Sequence, residues 1–259
     1  MKKDWALILG GSSGLGLATA KKLARHGFDI IIIHRDRRAD VKELNKEFDE
    51  ITSHGVQCKT FNADAVQSEK RKELIHEIQA LLPKEHKIGV LVHSIAKGSL
   101  KPMHANKSLA LSDQDLKITF EAMALSLYEW TKALVYADLF SEDARIISFT
   151  SEGNTRALPS YGAVSVAKVA LEALTRNIAL EFASMGIKAN CIQAGVTETK
   201  SFAMIPGYQK IKSHTLERNP NKRLTTPEDV ANVAYLLTLD EAKWITGTVI
   251  KVDGGESLR

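Results

Sequence analysis

The sequence predicts a single-domain α/β fold, in which a doubly wound parallel sheet of about seven strands is covered by helices on both faces. Short apolar segments alternate with helical patterns along the whole chain, as successive βαβ units require. Residues 30–33 are all isoleucine, and strands buried on both faces are apolar at every position. The 259 residues contain no Pro/Gly/Ser-rich linker, so one core is expected over residues 1–259.

Seven segments are predicted to be strands. They are WALILG (5–10), FDIIIIH (28–34), VQCKTFN (56–62), KIGVLVHS (87–94), ARIISFTS (144–151), IKANCIQ (187–193) and GTVIKV (247–252). Helical patterns begin near Leu15, Ala39 and Ser68, extend over residues 112–139 and 161–184, and follow Pro227. Because a helix follows nearly every strand, the sheet is predicted to be parallel.

Two helices show the apolar repeat of an amphipathic helix at i, i+3, i+4 and i+7. The repeats consist of Val166, Val169, Ala170 and Ala173 in one helix and of Val230, Val233, Ala234 and Leu237 in the other. The second helix also has a clear start, with Thr226 as the N-cap and Pro227 at the first helical position. Two acidic residues then follow at the positive end of the helix dipole.

Composition and charge exclude several classes of protein. Hydrophobic residues make up 44% and charged residues 25% of the chain, which is ordinary for a globular protein. A net charge of +4 is too mild for a nucleic-acid-binding surface, so no nucleic-acid partner is expected. Cys58 and Cys191 are isolated, which predicts free thiols in a reducing compartment and no metal site. No segment has the length of a signal peptide or a membrane span, so we expect a cytoplasmic protein.

A glycine-rich turn follows the first predicted strand. Residues 10–16 read GGSSGLG and lead directly into a helix. Glycines at such a turn let backbone amides and a helix N-terminus approach a pyrophosphate. A tight turn without a ligand is the alternative, but the order strand, turn, helix favours a Rossmann-type dinucleotide site. The predicted cofactor contacts of this turn are Gly10, Ser12, Ser13, Gly14, Leu15 and Gly16.

The second predicted strand ends where a dinucleotide fold meets the adenosine ribose. An arginine there matches the 2′-phosphate of NADP through charge-assisted hydrogen bonds, whereas an acid favours NAD. Arg35 is the best-placed cation, so NADPH is the predicted cofactor, although Asp36 weakens the distinction. The alternative for Arg35 is a solvated charged loop. Asp64 follows the third strand and is predicted to bind the adenine amino group or, alternatively, to cap the next helix.

The fourth predicted strand ends in residues that can lie beneath the cofactor. Residues 93–98 read HSIAKG, and the contacts predicted here are Ser94, Ile95 and Ala96, in addition to Ala65 after the third strand. His93 is expected to be structural, because a lone histidine is more often structural than catalytic. No second histidine or carboxylate stands at ligand spacing from it, so no metal is predicted here.

The segment PSYGAVSVAK at residues 159–168 opens as a turn and continues as a helix, with Tyr161 and Lys168 seven residues apart. With the N-terminal glycine pattern and the closing ITGTVIKVDGG, it resembles the short-chain dehydrogenase/reductase family over nearly the whole chain. The spacing, the HSIA segment and Ala194-Gly195 followed by Thr199 resemble the enoyl-acyl-carrier-protein reductases of bacterial fatty acid synthesis. The basic loop after the second strand resembles their NADPH-using branch.

This resemblance implies roles for individual residues. The implied catalytic residues are Tyr161, Lys168 and Ser151. Lys168 is also implied to hold the nicotinamide ribose. Further implied cofactor contacts are Ala194, Gly195, Val196 and Thr199.

The spacing of Tyr161 and Lys168 bears on the substrate. Residues seven apart on a helix lie about 20° apart round the axis and about 10.5 Å apart along it, so both side chains share a face. A ketone carries its oxygen on the carbon that accepts hydride, whereas an enoyl thioester accepts hydride at C3 and develops charge on an oxygen two carbons away. We therefore predict reduction of the C2=C3 bond of a trans-2-enoyl thioester, with Tyr161 hydrogen-bonding the enolate oxygen. The Lys168 ammonium is also expected to favour the phenolate form of Tyr161.

Carbonyl reduction is the alternative activity. Many enoyl reductases of the family have a second tyrosine ten residues before the first, and this chain has Ser151 there, the residue that ketoreductases use to polarise a carbonyl. The NADPH-using enoyl reductases also have serine at this position. Ketoreductases commonly place an asparagine at a helix position that corresponds here to Thr119, which favours enoyl over 3-oxoacyl thioesters or other ketones. A non-catalytic NADPH sensor is a third hypothesis, but it would not need Tyr161 and Lys168.

Residues 197–220 are predicted to form a substrate-binding loop that acts as a lid. Its apolar side chains are predicted to line an acyl-chain pocket, and its bases match the acidic surface of an acyl carrier protein. The apolar residues include Phe202, Met204 and Tyr208, and the bases are Lys200, Lys210, Lys212 and Arg218. A solvated basic loop is the alternative. Helices 112–139 and 161–184 are predicted to pair with copies of themselves in a homotetramer, as the resemblance implies.

Overall fold

The computed structural model of the chain describes residues 4–106 and 109–259. Within these ranges seven strands form one parallel sheet in the order β3-β2-β1-β4-β5-β6-β7. The strands are β1 (Trp5–Leu9), β2 (Asp29–His34), β3 (Cys58–Asn62), β4 (Ile88–His93), β5 (Phe140–Ser151), β6 (Ile187–Ala194) and β7 (Val249–Val252). The predicted doubly wound α/β fold is confirmed, and each strand overlaps its predicted segment.

Helices cover both faces of this sheet. They are α1 (Gly14–Arg25), α2 (Val41–Thr52), α3 (Ser68–Leu81), α4 (Asp113–Phe120), α5 (Ser126–Tyr136), α6 (Gly162–Glu181), α7 (Lys200–Ala203), α8 (Tyr208–Arg218) and α9 (Pro227–Leu236). A π-helical segment, Glu121–Leu125, joins α4 to α5, so the helix predicted over residues 112–139 is interrupted by a wider turn. Residues 197–220, predicted as a loop, contain α7 and α8 instead.

The core has two parts, one on each face of the sheet. Leu7, Leu9 and Ile31 pack with side chains of α3, α5 and α6, whereas Ile8 and Ile30 pack with those of α1, α2 and α9. Neighbouring residues of one strand therefore belong to opposite parts of the core, because side chains alternate across a pleated strand. This double burial explains why β1 and β2 are apolar at almost every position.

The apolar repeat places α9 correctly but misplaces the buried face of α6. In α9, Val230 and Ala234 are buried, and Thr226 and Asp229 form a capping box. In α6, Val166 and Val169 are 55% and 48% exposed. The buried face of α6 instead includes Ala163, Val164, Ala167 and Leu171. An apolar repeat shows that a helix has an apolar stripe, but not that this stripe faces the core.

None of the helices that the structure describes is long and apolar enough to cross a membrane.

Candidate active site

A cleft of about 820 Å³ opens at the carboxyl ends of the strands. The strand order reverses between β1 and β4, which is the point where open α/β sheets bind ligands. Nearly all of the predicted site residues line this cleft. They are Gly10, Ser12, Ser13, Gly14, Leu15, Arg35, Asp64, Ala65, Ser94, Ile95, Ala96, Ser151, Tyr161, Lys168, Ala194, Gly195, Val196, Thr199, Phe202 and Met204. Gly16, predicted as a cofactor contact, and Tyr208, predicted as a substrate contact, do not line this cleft.

The glycine-rich turn is pressed against the end of β4. Gly10 has φ +82°, and a Cβ on it would lie 2.5 Å from the Ser94 carbonyl oxygen, so no other residue fits there without a shift. A Cβ on Gly16 would lie 2.3 Å from the Gly10 carbonyl oxygen. Gly16 therefore closes the turn from behind rather than touching a ligand. Gly10 and Gly16, the first and last predicted contacts of this turn, therefore have different physical roles.

The N-terminus of α1 faces the cleft with its backbone amides uncapped by side chains. Ser13 is the N-cap residue, but its hydroxyl makes no capping hydrogen bond, and the first turn of α1 contains no acidic residue. Such a helix end carries free N–H donors and the positive end of the helix dipole. These features fit the pyrophosphate of a dinucleotide. Thr199, across the cleft from Gly14, uses its own hydroxyl to cap α7 through the Phe202 amide.

The adenosine end of the cleft is organised by one carboxylate. Asp64 accepts hydrogen bonds from Arg35 at 3.0 Å and from the Val66 amide at 3.0 Å, and Lys97 lies 3.5 Å away. Burial alone would raise the pKa of Asp64, but the Val66 amide and the two cations lower it. The N-cap of α3 is Gln67, so the alternative of Asp64 as a helix cap is wrong.

Asp36, which weakened the distinction between cofactors, is already engaged. Its carboxylate lies 2.8 Å from Nδ1 of His34, a buried residue of β2, and its backbone amide donates to Asn62. Arg35 is 60% exposed on the cleft side. Both side chains are paired, but Arg35 is the more exposed of the two, at 60% against 25% for Asp36, and is the better placed to meet a ligand at the end of β2.

Tyr161 stands at the entrance of α6. It is the N-cap residue, one position before Gly162, and its phenol oxygen lies 3.2 Å from the hydroxyl oxygen of Ser151 at the end of β5. Burial raises the pKa of the Tyr161 phenol, and the hydrogen bond with Ser151 only partly opposes this. The expected bias toward phenolate is therefore wrong for the unliganded protein. The phenol keeps its proton and can act as a donor.

Lys168 lies on α6, seven residues after Tyr161, and is only 8% exposed. Its ammonium donates to the Phe149 carbonyl oxygen at 2.6 Å. Burial lowers the pKa of Lys168 to about 8, although electrostatic interactions with Cys191 and Glu172 act in the opposite direction. A lysine in this state is charged at neutral pH and poised to lose its proton in mild alkali.

Helix α4 and the π-helical segment give the cleft a residue that the sequence did not reveal. Thr119 is fully buried, and its hydroxyl is used by the Ser99 amide and the Asp115 carbonyl, so it does not reach the cleft. Met123, in the π-helical segment, lines the cleft instead. The correspondence of Thr119 with the ketoreductase asparagine stays a prediction, and its hydroxyl is not free to meet a ligand. The side chain of Met123 is a thioether, which has no proton to donate to a ligand.

His93 has the structural role expected of it. Its Nε2 lies 2.7 Å from the Ser126 hydroxyl oxygen, and the ring is 1% exposed. Burial lowers the pKa of His93 to about 3, with the Lys168 charge adding to the effect. The imidazole is therefore neutral and is not a proton donor at neutral pH.

The far end of the cleft is apolar. Side chains from four parts of the chain form this wall, namely Leu100, Met123, Leu158, Val164, Phe202, Ile205 and Ile211. Tyr208 lies behind this wall, where its ring packs edge-on against Phe202 with 5.8 Å between centroids. Met204 reaches the lining but is 73% exposed. Phe202 is thus the predicted substrate contact that is held most firmly.

Two of the four predicted partner-binding bases are already paired. Arg218 is buried and binds Glu152 and Glu256, at 2.6 Å from the latter, while Lys212 pairs with Glu198 at 2.7 Å. The expectation that Arg218 meets an outside partner is wrong. The carboxylate of Glu256 also accepts from the Val196 amide at 3.0 Å. Arg218 thus joins α8, the end of β5 and the loop after β6 into one cleft wall.

The fold and the cleft define a class of protein. A Rossmann-type sheet, an uncapped helix at a glycine-rich turn, and a Tyr, a Ser and a buried Lys around one cleft are the features of a nicotinamide-dependent oxidoreductase. The model of the family described as Enoyl-(Acyl carrier protein) reductase matches residues 10–257. The chain therefore belongs to this family, within the short-chain dehydrogenases/reductases.

Known relatives agree with this assignment. The chain is 32% identical over 261 residues to the uncharacterized oxidoreductase YhdF of Bacillus subtilis (strain 168), covering 98% of this chain and 84% of the relative. It is 28% identical over 263 residues to 1-cyclohexenylcarbonyl-CoA reductase of Streptomyces collinus, covering 99% and 88%. The solved structure of enoyl-[acyl-carrier-protein] reductase (NADH) from Aquifex aeolicus VF5 is similar with a TM-score of 0.85 at 26% identity, covering 100% and 98%.

Proposed function

We propose that the chain reduces the C2=C3 bond of trans-2-enoyl thioesters with NADPH. The observation that carries this proposal is the position of Tyr161 at the N-cap of α6, outside the helix itself, with a protonated phenol facing an apolar chamber. A donor set back along the helix suits an oxygen that lies two carbons away from the reacting carbon. Met123, which packs in one apolar cluster with Val164 beside Tyr161, adds no polar group for a carbonyl.

The nicotinamide cofactor, when bound, supplies the hydride. The protein's own residues then have separate tasks. Tyr161 donates a hydrogen bond to the thioester oxygen, where negative charge develops. Lys168 lines the cleft, and a hydrogen bond to the Phe149 carbonyl oxygen holds its ammonium in place. From there the ammonium can reach the bound cofactor. The apolar wall around Phe202 excludes water and receives the acyl chain.

Arg35 supports NADPH over NADH. It is the exposed cation at the end of β2, and the bond to Asp64 can be exchanged for one to a 2′-phosphate, the stronger anion. Arg37 and Arg38 add positive charge to the same loop. The Aquifex relative is named as an NADH enzyme, so membership of the family alone does not decide the cofactor. The choice between NADPH and NADH therefore rests on the loop that follows β2.

The carrier of the acyl group is proposed to be an acyl carrier protein. Lys200 and Lys210 are exposed at the rim of the cleft and match an acidic partner. Arg156, also exposed on the rim, adds to the positive charge there. The Streptomyces relative is named for an unsaturated coenzyme A thioester, which supports the thioester class but not the carrier.

Reduction of a ketone, such as a 3-oxoacyl thioester, is the second candidate. The observation in its favour is the contact between Ser151 and Tyr161, because two hydroxyls 3.2 Å apart can both bind one carbonyl oxygen. The two activities differ in which carbon carries the oxygen, so they are separable by substrate.

The deciding experiment offers a trans-2-enoyl thioester and a 3-oxoacyl thioester separately to the purified protein and follows the loss of NADPH absorbance. We expect turnover of the enoyl substrate, and we expect Tyr161→Phe to reduce it about 10²- to 10⁴-fold while NADPH binding is kept. Turnover of the 3-oxoacyl substrate alone would transfer the assignment to ketone reduction. Wild-type turnover by Tyr161→Phe would remove the proposed role of the phenol.

A homotetramer is proposed as the functional assembly. The support is the exposed apolar stripe of α6, to which Val166, Val169 and Leu180 contribute. Burial of such a stripe against a copy of itself removes apolar area from water. Light scattering should give about four chains per particle for the wild type and fewer for a Val166→Asp, Val169→Asp double variant. A monomeric wild type would contradict the proposal.

A further inference from the structure

Glu172 lies on α6, one helical turn after Lys168, and its carboxylate holds both sides of the segment that carries Ser151. One carboxylate oxygen, Oε1, accepts from the Thr150 hydroxyl at 2.6 Å. The same oxygen accepts from the side-chain amide of Asn154. Thr150 immediately precedes Ser151 and Asn154 lies three residues after it, so a single carboxylate fixes the turn after β5 to α6.

This turn sets the position of Tyr161. Ser151 Oγ lies 3.2 Å from the phenol oxygen, and the Gly153 backbone lies so close to the Tyr161 ring that a Cβ there would be 2.4 Å from a ring carbon. A movement of the turn relative to α6 therefore moves the hydroxyl or the ring, or both. The bonds to Glu172 oppose that movement, since hydrogen bonds to a charged group are stronger than neutral ones.

Glu172 also lies one turn of α6 from Lys168, close enough for its negative charge to raise the pKa of that lysine. The titratable groups around Lys168 come from three elements, His93 on β4, Cys191 on β6 and Glu172 on α6. His93 is neutral, because burial lowers its pKa to about 3. Burial raises the pKa of Cys191, so its thiol keeps its proton at neutral pH. Among these groups only the carboxylate supplies a lasting negative charge.

We infer that Glu172 is a positioning residue of the active site, which holds the Ser151 turn against α6 and supplies the negative charge that faces Lys168. Glu172 does not itself line the cleft, and it acts through Thr150, Asn154 and Lys168. The inference rests on the proposed oxidoreductase function. The contacts of Glu172 can nevertheless be tested without any substrate.

The test compares Glu172→Gln, Glu172→Ala and the control Glu181→Gln in the unliganded full chain. Glu181 is an exposed glutamate at the end of the same helix. Gln keeps an acceptor for Thr150 and Asn154 but removes the charge, whereas Ala removes both. The pKa of Lys168 is followed by NMR in lysine-labelled protein, with the resonance assigned by its loss in Lys168→Arg. Amide hydrogen exchange is measured over residues 150–154.

We expect Glu172→Gln to lower the pKa of Lys168 relative to the wild type and to leave amide exchange over 150–154 slow. We expect Glu172→Ala to speed that exchange as well, and Glu181→Gln to change neither. An unchanged Lys168 pKa in Glu172→Gln would overturn the inference, and so would equal exchange rates in the Gln and Ala variants. Should Ala fail to fold, the pKa of Lys168 in the Gln variant decides alone.

Turnover adds a second readout. If the wild type reduces a thioester, the alkaline fall of kcat should move to lower pH in Glu172→Gln with its plateau kept. The plateau of Glu172→Ala should be about tenfold lower, because the Ser151 turn is released. A wild type that reduces neither thioester would end the proposed function, while the NMR titration would still decide the role of Glu172.

Discussion

The phenol oxygen of Tyr161 lies 3.2 Å from the hydroxyl oxygen of Ser151, although the two residues belong to different elements. Ser151 ends β5, and Tyr161 begins α6. The pair is the point at which the two candidate reactions differ. In ketone reduction both hydroxyls bind the reacting carbonyl, whereas in enoyl reduction Ser151 only orients the phenol.

Substitution of Ser151 by alanine should separate these roles. For an enoyl thioester we expect kcat to fall less than about tenfold, because the phenol remains, and for a 3-oxoacyl thioester we expect a loss of about 10²-fold or more. Steady-state kinetics with both substrates make the comparison. Equal losses on both would show that Ser151 does not discriminate between them.

Gly153 should not tolerate a side chain. A Cβ there would lie 2.4 Å from the Tyr161 ring, so Gly153→Ala must displace the ring or the turn. We expect turnover to fall about tenfold or more, as misplacement of a reacting group does. Gly162→Ala is the matched control, since its Cβ would meet the flexible Met103 side chain at 3.2 Å and Leu111 at an ordinary 3.9 Å. Similar kcat values for the two variants would refute the packing argument.

Arg35 should set the preference between NADPH and NADH. Loss of one charge-assisted bond to the 2′-phosphate should lower the ratio of kcat/KM for NADPH over NADH about 10- to 100-fold in Arg35→Ala. Arg176→Ala, an exposed arginine on α6 that does not line the cleft, is the control. A ratio that stays at its wild-type value would mean that another group distinguishes the 2′-phosphate of NADPH from the ribose of NADH.

The Arg218 cluster should matter for stability. Replacing Arg218 by methionine leaves Glu256, which is 2% exposed, without its cation, and breaking such a buried pair costs about 3–5 kcal/mol of the free energy of unfolding. Arg223→Met breaks an exposed pair with Asp229 and should cost about 1 kcal/mol or less. Urea unfolding followed by circular dichroism measures both. Equal midpoints would show that Glu256 is satisfied by its other partners.

Activity should fall as the pH rises through the pKa of Lys168, about 8. A lysine with a lowered pKa is charged below that value and neutral above it, so the positive charge is lost in mild alkali and the hydrogen bond to Phe149 is no longer charge-assisted. The pH profile of kcat/KM measures this limb. Lys168→Arg should keep any residual activity to higher pH, because a guanidinium does not titrate there. If activity falls at the same alkaline pH in the wild type and in Lys168→Arg, the fall is caused by the titration of another group.

Much of the fold could be predicted because its signals are local. Each strand is a short apolar segment, and residues 10–16 carry their turn, helix start and ligand geometry within seven positions. Tyr161 and Lys168 were placed for the same reason, since one helix fixes their relation. The positions of Arg35 and Asp64 at the strand ends followed from the strand order.

The parts that were missed depend on distant contacts. Glu152 and Glu256 meet Arg218 from 66 and 38 positions away, and no local pattern indicates that Arg218 is buried rather than exposed. The stripe of Val166 and Val169 shows the same limit, because periodicity does not say what an apolar face will contact. Asp64 was ambiguous until the cap of α3 was known.

The π-helical segment Glu121–Leu125 has a consequence for how this cleft can change. A wider turn of this kind holds one residue more than an α-helical turn would, and Met123 reaches the cleft from within it. Removing a single residue from the segment would rotate everything before it by about 100° relative to α5. The side chain that meets the ligand from this wall can thus be exchanged by altering helix length, while the sheet and its hydrogen bonds stay as they are.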